Sequence, residues 1–262
     1  MNQDEALQAA PVERPWQVGR LTLERPTAWL RLGWQDLCRH PGPSLAHGVL
    51  VTAMGWVVLA LASTHLYLLA AAVSGFLLVG PILATGLCEL SRRDDRGELA
   101  DFDDSLDALG RNPAALWQFA FVLLGFSLLW FSLSGLILHA MIGVGTPTLG
   151  EITWGTIVAM GQPQAFGFYL GTGAILAFLV FILSVVAVPA IIDDRISISA
   201  ITAMHMSLQA VLLNLPLMLI WAGLIVVLTA MAYLTLLVGM IGIYPLLGHA
   251  TWHAYRELVE TG

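Results

Sequence analysis

The chain has 262 residues, 58% hydrophobic and only 11% charged; its 11 basic residues are all arginine, and with 18 acidic residues the formal net charge is −7. A soluble globular domain carries about 25% charged residues, so this composition excludes a water-soluble fold, and the acidic balance without a basic patch excludes a nucleic-acid binder. Long uncharged runs have to satisfy their backbone within the segment, which predicts an all-α polytopic transmembrane helix bundle and not a β-barrel.

In chain order, residues 1–26 are expected to form a polar, disordered tail, and residues 27–262 an integral membrane domain. The first apolar run starts near Ser44, too far along for a cleaved secretory signal, and is read as a retained anchor. Crossing the hydrocarbon core takes about 20 apolar helical residues. Six stretches approach that length, at about 44–63, 66–87, 114–139, 166–192, 215–233 and 236–251. The last is short, and one long bent helix across Leu234 and Thr235 competes with it.

The arginines then fall on one side. Arg14, Arg20, Arg25, Arg31 and Arg39 precede the first span, while Arg92, Arg93, Arg96 and Arg111 lie between the second and third. Arg195 lies between the fourth and fifth, and Arg256 follows the sixth. Of the charged residues only Glu151 falls on the other side. The positive-inside rule predicts both termini in the cytoplasm. Cys38 and Cys88 are then free thiols on the reducing side. The loop from Met141 to Phe166 is the one long connection on the opposite face.

A threefold pattern is visible in WQDLCRHPGPSLAHGVLV, SLDALGRNPAALWQFAFVLL and MSLQAVLLNLPLMLIWAGLI. Each reads as a short amphipathic helix, a polar residue, a proline and a span, which predicts three pseudo-repeats of interfacial helix plus transmembrane hairpin. Trp29 and Trp34 suit a helix lying in the headgroup layer. Asp104 is expected to cap the second such helix, with Asp107 three residues on; the stretch DFDDSLD lacks the glycine and the terminal glutamate of a calcium loop. Pro81, Pro189 and Pro245 each fall towards the charged end of a returning span and predict kinks there. Gly167 and Gly171 form GxxxG, and with Gly75 and Gly80 they are candidate helix-packing positions.

The spans contain no Asp, Glu, Arg or Lys, which argues against an ion-coupled carrier. In GHATWHAYREL, His249 and His253 share a helix face at ligand spacing. With His40, His47 and His205 they are candidates for a metal or haem site, set against a structural role where a helix meets water. His65 and His139 lie at the other face. There is no GxSxG, Walker or HExxH motif, so no cofactor and no catalytic residue is assigned.

The stretches RLGWQDLCRHPGPSLAHGVL, SGFLLVGPILATGLCELSRR, SLDALGRNP and YPLLGHATWHAYREL resemble an uncharacterised family of bacterial integral membrane proteins, from about Trp29 to Val259. The resemblance implies a bacterial inner-membrane location and brings no activity with it. The expected role is a non-enzymatic scaffold, assembly or modulatory component. Its partners would be the lipid bilayer and a membrane protein or second copy. The alternatives are a passive transporter, channel or lipid-translocating protein, and a metal- or haem-binding protein.

Overall fold

The computed structural model describes residues 16–62, 66–142 and 163–261, with side chains given outside 62–79, 141–142 and 261. Strand β1 (Trp16–Val18) leads to α1 (Arg25–Arg39), α2 (Pro41–Ala62) and α3 (Leu66–Asp94). Two short helices, α4 (Phe102–Leu106) and α5 (Ala108–Arg111), precede α6 (Pro113–Ile142). Then come α7 (Pro163–Ser184), α8 (Ala187–Ile192), α9 (Ala200–Leu213), α10 (Leu215–Leu234), α11 (Met240–Leu258) and β2 (Val259–Thr261). Among the described residues four segments are long and apolar enough to cross a membrane: Pro41–Leu61, Pro113–Ala140, Pro163–Ile192 and Leu215–Leu234. The Met141–Phe166 loop and residues 1–15 lie almost wholly outside the described residues.

Ion pairs bring the charged residues of α1, α3, α5, α11 and the turns beside them together at one end. There β1 and β2 pair antiparallel, with Gln17 opposite Glu260. Asn214 holds the chain beyond β1, accepting from the Leu21 amide at 2.9 Å and donating to the Gly19 carbonyl at 2.9 Å. The tail expected to be disordered to residue 26 is therefore ordered from Trp16. Three residues around a buried Trp16 form too short a strand for period-2 patterning to register.

Each short helix ends on a polar residue before the next long helix. His40, Asn112 and Asn214 do this with similar backbones, φ/ψ −121/57, −144/69 and −119/33. The short helices do not lie free on a surface. Trp29 of α1 is fully buried, edge-on to Trp221 of α10 at 5.6 Å, and only Trp34 is exposed. Helix α9 buries Ala203, Met206 and Ala210. The cap of α4 is Asp101, in a reciprocal capping box with Asp104, one turn earlier than expected. Asp104 and Asp107 instead face Arg93 at 3.1 and 2.6 Å.

Helix α11 is the centre of packing, and glycine is what lets it be crossed closely. A Cβ at Gly33 of α1 would lie 2.7 Å from the Ala250 amide nitrogen, and one at Gly48 of α2 would fall inside the Ile241 carbonyl. A Cβ at Gly248 would meet Leu87 Cδ1 at 2.5 Å. The glycines expected from spacing are elsewhere: among the described residues nothing lies within 4 Å of a Cβ at Gly80, Gly167 or Gly171, and Gly75 falls where side chains are not described. On α7 it is Gly173 that meets a neighbour, Trp130 Cη2 at 2.9 Å. Gly48→Ala is expected to lower thermal stability in detergent by about 1–3 kcal/mol through overpacking; Gly125→Ala, with open space around it, is expected to leave it unchanged or raise it.

The prolines act differently from one another. Pro81 and Pro245 sit inside continuous helices, whereas α7 breaks at Val185 and Val186 before Pro189 in α8. Ser207 of α9 fills the break: its hydroxyl donates to the Ile182 carbonyl at 2.6 Å and accepts from the Val186 amide at 3.1 Å. It thus replaces one i→i−4 bond of the helix by a two-step bridge. Ser207→Ala strands both backbone groups in an apolar setting and is expected to cost about 1–3 kcal/mol, read by thermal unfolding against Ser207→Thr.

The segment expected as a sixth span from residue 236 begins as a turn, and helix starts at Met240. Leu236 and Leu237 have φ of 52° and 69°, a conformation that costs an L-residue energy. Side chains of α2 hold the turn. Trp56 Nε1 donates to the Leu236 carbonyl at 2.8 Å, and Thr52 Oγ1 to that of Leu237 at 3.3 Å.

Candidate functional site

The charged end contains two polar networks. The first runs through HATWHAYREL. His249 is fully buried, with Nε2 2.9 Å from Ser44 Oγ and Nδ1 2.7 Å from Ser91 Oγ. Ser91 Oγ lies 2.6 Å from Asp36 Oδ2, which is also 2.8 Å from His253 Nε2. A carboxylate only accepts, so the Ser91 proton points at Asp36 and Ser91 must accept from His249 Nδ1–H. Nε2 then accepts from Ser44. The chain has one direction, from Ser44 through His249 and Ser91 to Asp36, with His253 donating from the far side. Burial pushes the Asp36 carboxyl up, but the His253 and Ser91 hydrogen bonds outweigh it and hold it below its ordinary value.

The second network centres on Glu89, which is fully buried. Its carboxylate accepts from Arg92 at 2.8 and 2.7 Å, from Arg93 at 3.0 Å and from Arg111 at 2.7 and 2.5 Å. Burial works against ionisation, yet the Arg92 and Arg111 hydrogen bonds bring the carboxyl down to about 2. Asp194 joins the same group through Arg96, and approaches Arg92 at 3.5 Å and Arg111 at 3.7 Å. Beside them Asp193 accepts from Tyr255 at 2.7 Å and from Arg195. Glu257 takes Trp29 Nε1 at 2.8 Å and Arg25. Charge that would be costly if buried alone is paired here; among the buried charged groups of the described residues only Arg92 Nη1 lacks a hydrogen bond, and it faces Asp194 at 3.5 Å.

The histidine pair thus shares a face as its spacing predicts, but a serine and a carboxylate join it. His40 turns to Asp94 at 3.3 Å, and His47 bonds Ser105 Oγ at 2.9 Å. His205 is exposed on α9 and takes no part in either network. Among the described residues no group of three or more His, Cys, Asp or Glu is arranged to hold a metal ion. Ser44, Ser91, Asp36 and Glu89 were not singled out from the sequence. For Glu89 a signal existed: it stands three and four residues before Arg92 and Arg93, ion-pair spacing on a helix.

Above these networks lies a lateral cleft of about 650 Å³. Gly80, Pro81 and Ala84 of α3 and Ala177 to Val188 along α7 and α8 form one wall. Ile225 to Tyr233 of α10 and Met240 to Thr251 of α11 form the other. Helix α10 packs on α11, with smaller contacts to α1 and α9, and stands away from α7.

No curated protein and no solved structure matches the chain. Residues 67–193 match the model of a family described as Predicted integral membrane protein (DUF2189); the matched segment takes in nearly all of α3, Glu89 with its arginines Arg92, Arg93 and Arg111, and the helices to Asp193, and over it the chain is similar to that family.

Proposed function

We propose that this is a multi-pass protein of the bacterial inner membrane, without enzymatic activity, that scaffolds or modulates a membrane complex. Six membrane-inserted helices (α2, α3, α6, α7–α8, α10 and α11) would leave both termini in the cytoplasm. Pairing of β1 with β2 supports an even number of crossings, and arginine segregation supports the orientation. The similar junctions at His40, Asn112 and Asn214 support three pseudo-repeats. The observation that carries the scaffold reading is the interlocked charged end. Ser44, His249, Ser91 and Asp36 are buried and bonded in one chain, and buried Glu89 is bonded to Arg92, Arg93 and Arg111 in a second network, which makes a rigid plate suited to docking and not an open reaction site. A metal or haem at His249 and His253 would have to displace Ser44, Ser91 and Asp36. Crosslinking in native membranes, followed by purification in a mild detergent, is expected to bring down a reproducible membrane-protein partner; a chain that stays solitary under both treatments overturns the reading. The lateral cleft favours a second reading, a passive or lipid-translocating protein, which liposome flux and lipid-exchange assays test directly.

A further inference from the structure

We propose that the cleft between α7–α8 and α10–α11 is a binding site for one acyl chain of a membrane lipid. Its walls include two apolar helices long enough to span the hydrocarbon core, so the medium beside it is lipid. Its rim is open: Ala177 and Ala230 are exposed, and so is Val226 at 66%. The lining is mostly apolar, and two of its five hydroxyl groups are satisfied within the protein. Tyr244 donates its hydroxyl to the Gly80 carbonyl at 2.7 Å, and Thr251 to that of Leu247 at 2.7 Å. Water needs two to four polar partners each and finds few here.

Size selects among apolar occupants. A spanning helix about 10 Å across and 30 Å long takes up roughly 2,400 Å³, several times the 650 Å³ present. A methylene occupies about as much volume as a water molecule in the liquid, roughly 30 Å³, so a chain of about sixteen to eighteen carbons needs roughly 500 Å³ and fits, with about a fifth of the space left over. Pro81 and Gly80 widen the α3 wall, since neither brings a flexible side chain into the space. Occupancy of this kind goes beyond the scaffold reading and does not depend on it: labelling reads occupancy, whereas partner capture and flux read the two proposed roles.

The full chain would be placed in nanodiscs of phosphatidylethanolamine and phosphatidylglycerol, with a trace of phosphatidylcholine bearing a mid-chain diazirine. After irradiation, labelled peptides are expected to concentrate on the cleft faces of α7, α10 and α11. Ala177→Trp and Ala230→Trp each fill the space from opposite walls and are expected to reduce that labelling about tenfold. Leu128→Trp, on an exposed face of α6, is expected to leave it unchanged. Labelling spread evenly over all lipid-facing helices, or indifferent to both filling variants in monodisperse protein, overturns the proposal. So does a dimer crosslinked through Ala230→Cys in place of lipid, which would give the cleft to a second copy.

Discussion

Glu89→Gln is expected to loosen the charged end by about 3–5 kcal/mol, the cost of breaking a buried ion pair by removing one partner. Three guanidinium groups lose their shared anion, and an NH2 donor takes the place of one of its two acceptor oxygens; Arg92 is only 3% exposed, so it cannot turn to water. Cys88 is a built-in reporter. It is buried against the Gly248 carbonyl at 3.7 Å, while Cys38 is exposed. Maleimide should label Cys38 at once in every variant, and Cys88 only when α3 and α11 separate. Faster Cys88 labelling in Glu89→Gln, with partial recovery in Glu89→Gln/Arg92→Met, is the expected pattern; unchanged labelling and thermal stability would sink the assignment. The pH dependence has a definite sign. Glu89 titrates lower in the folded state, about 2 against an ordinary 4.5, so its contribution is complete above about 4.5 and is lost as pH falls from there towards 2. Asp193 and Glu257 are shifted in the same direction, each with burial outweighed by hydrogen bonds from its arginine, which steepens the loss.

Asp36→Ala should be the next most damaging change, at about 3 kcal/mol, because it strands two donors at once. Ser91 and His253 both point at Asp36 Oδ2, and without that acceptor the direction of the whole chain back to Ser44 is undefined. Asp36→Asn keeps one acceptor oxygen and is expected to cost less than Asp36→Ala. If the two variants are equally stable to each other and to the parent protein, the Ser91 and His253 contacts carry no net energy.

Much of the architecture can be read from residues alone, because lipid imposes harsh rules. Arginines that cannot be left in hydrocarbon mark one end, and long uncharged runs mark the helices. What could not be read is partnership. The amphipathic period of α1 identifies an apolar face, but a bilayer surface and helix α11 satisfy that face equally well, and Trp29 chose the protein. The GxxxG spacing at Gly167 and Gly171 permits close approach without requiring it, whereas the isolated Gly33 and Gly48 make it. His249 and His253 occupy the face their spacing gives, yet Ser44, Ser91 and Asp36 come from 158 to 217 residues away in the chain. Nothing local could announce a relay assembled from three other helices.

The turn from Leu234 to Gly239 bears on how the molecule is made. Its amides and carbonyls are answered from within, by Ala232, Tyr233 and Thr235 and by Trp56 and Thr52, and it carries no charge. A bend sealed in this way has no hydration shell to shed. On the proposed six-crossing arrangement, the last two helices would enter the bilayer as a closed pair, with no wet loop to be pulled through, and lock when the α2 tryptophan and threonine reach the bend.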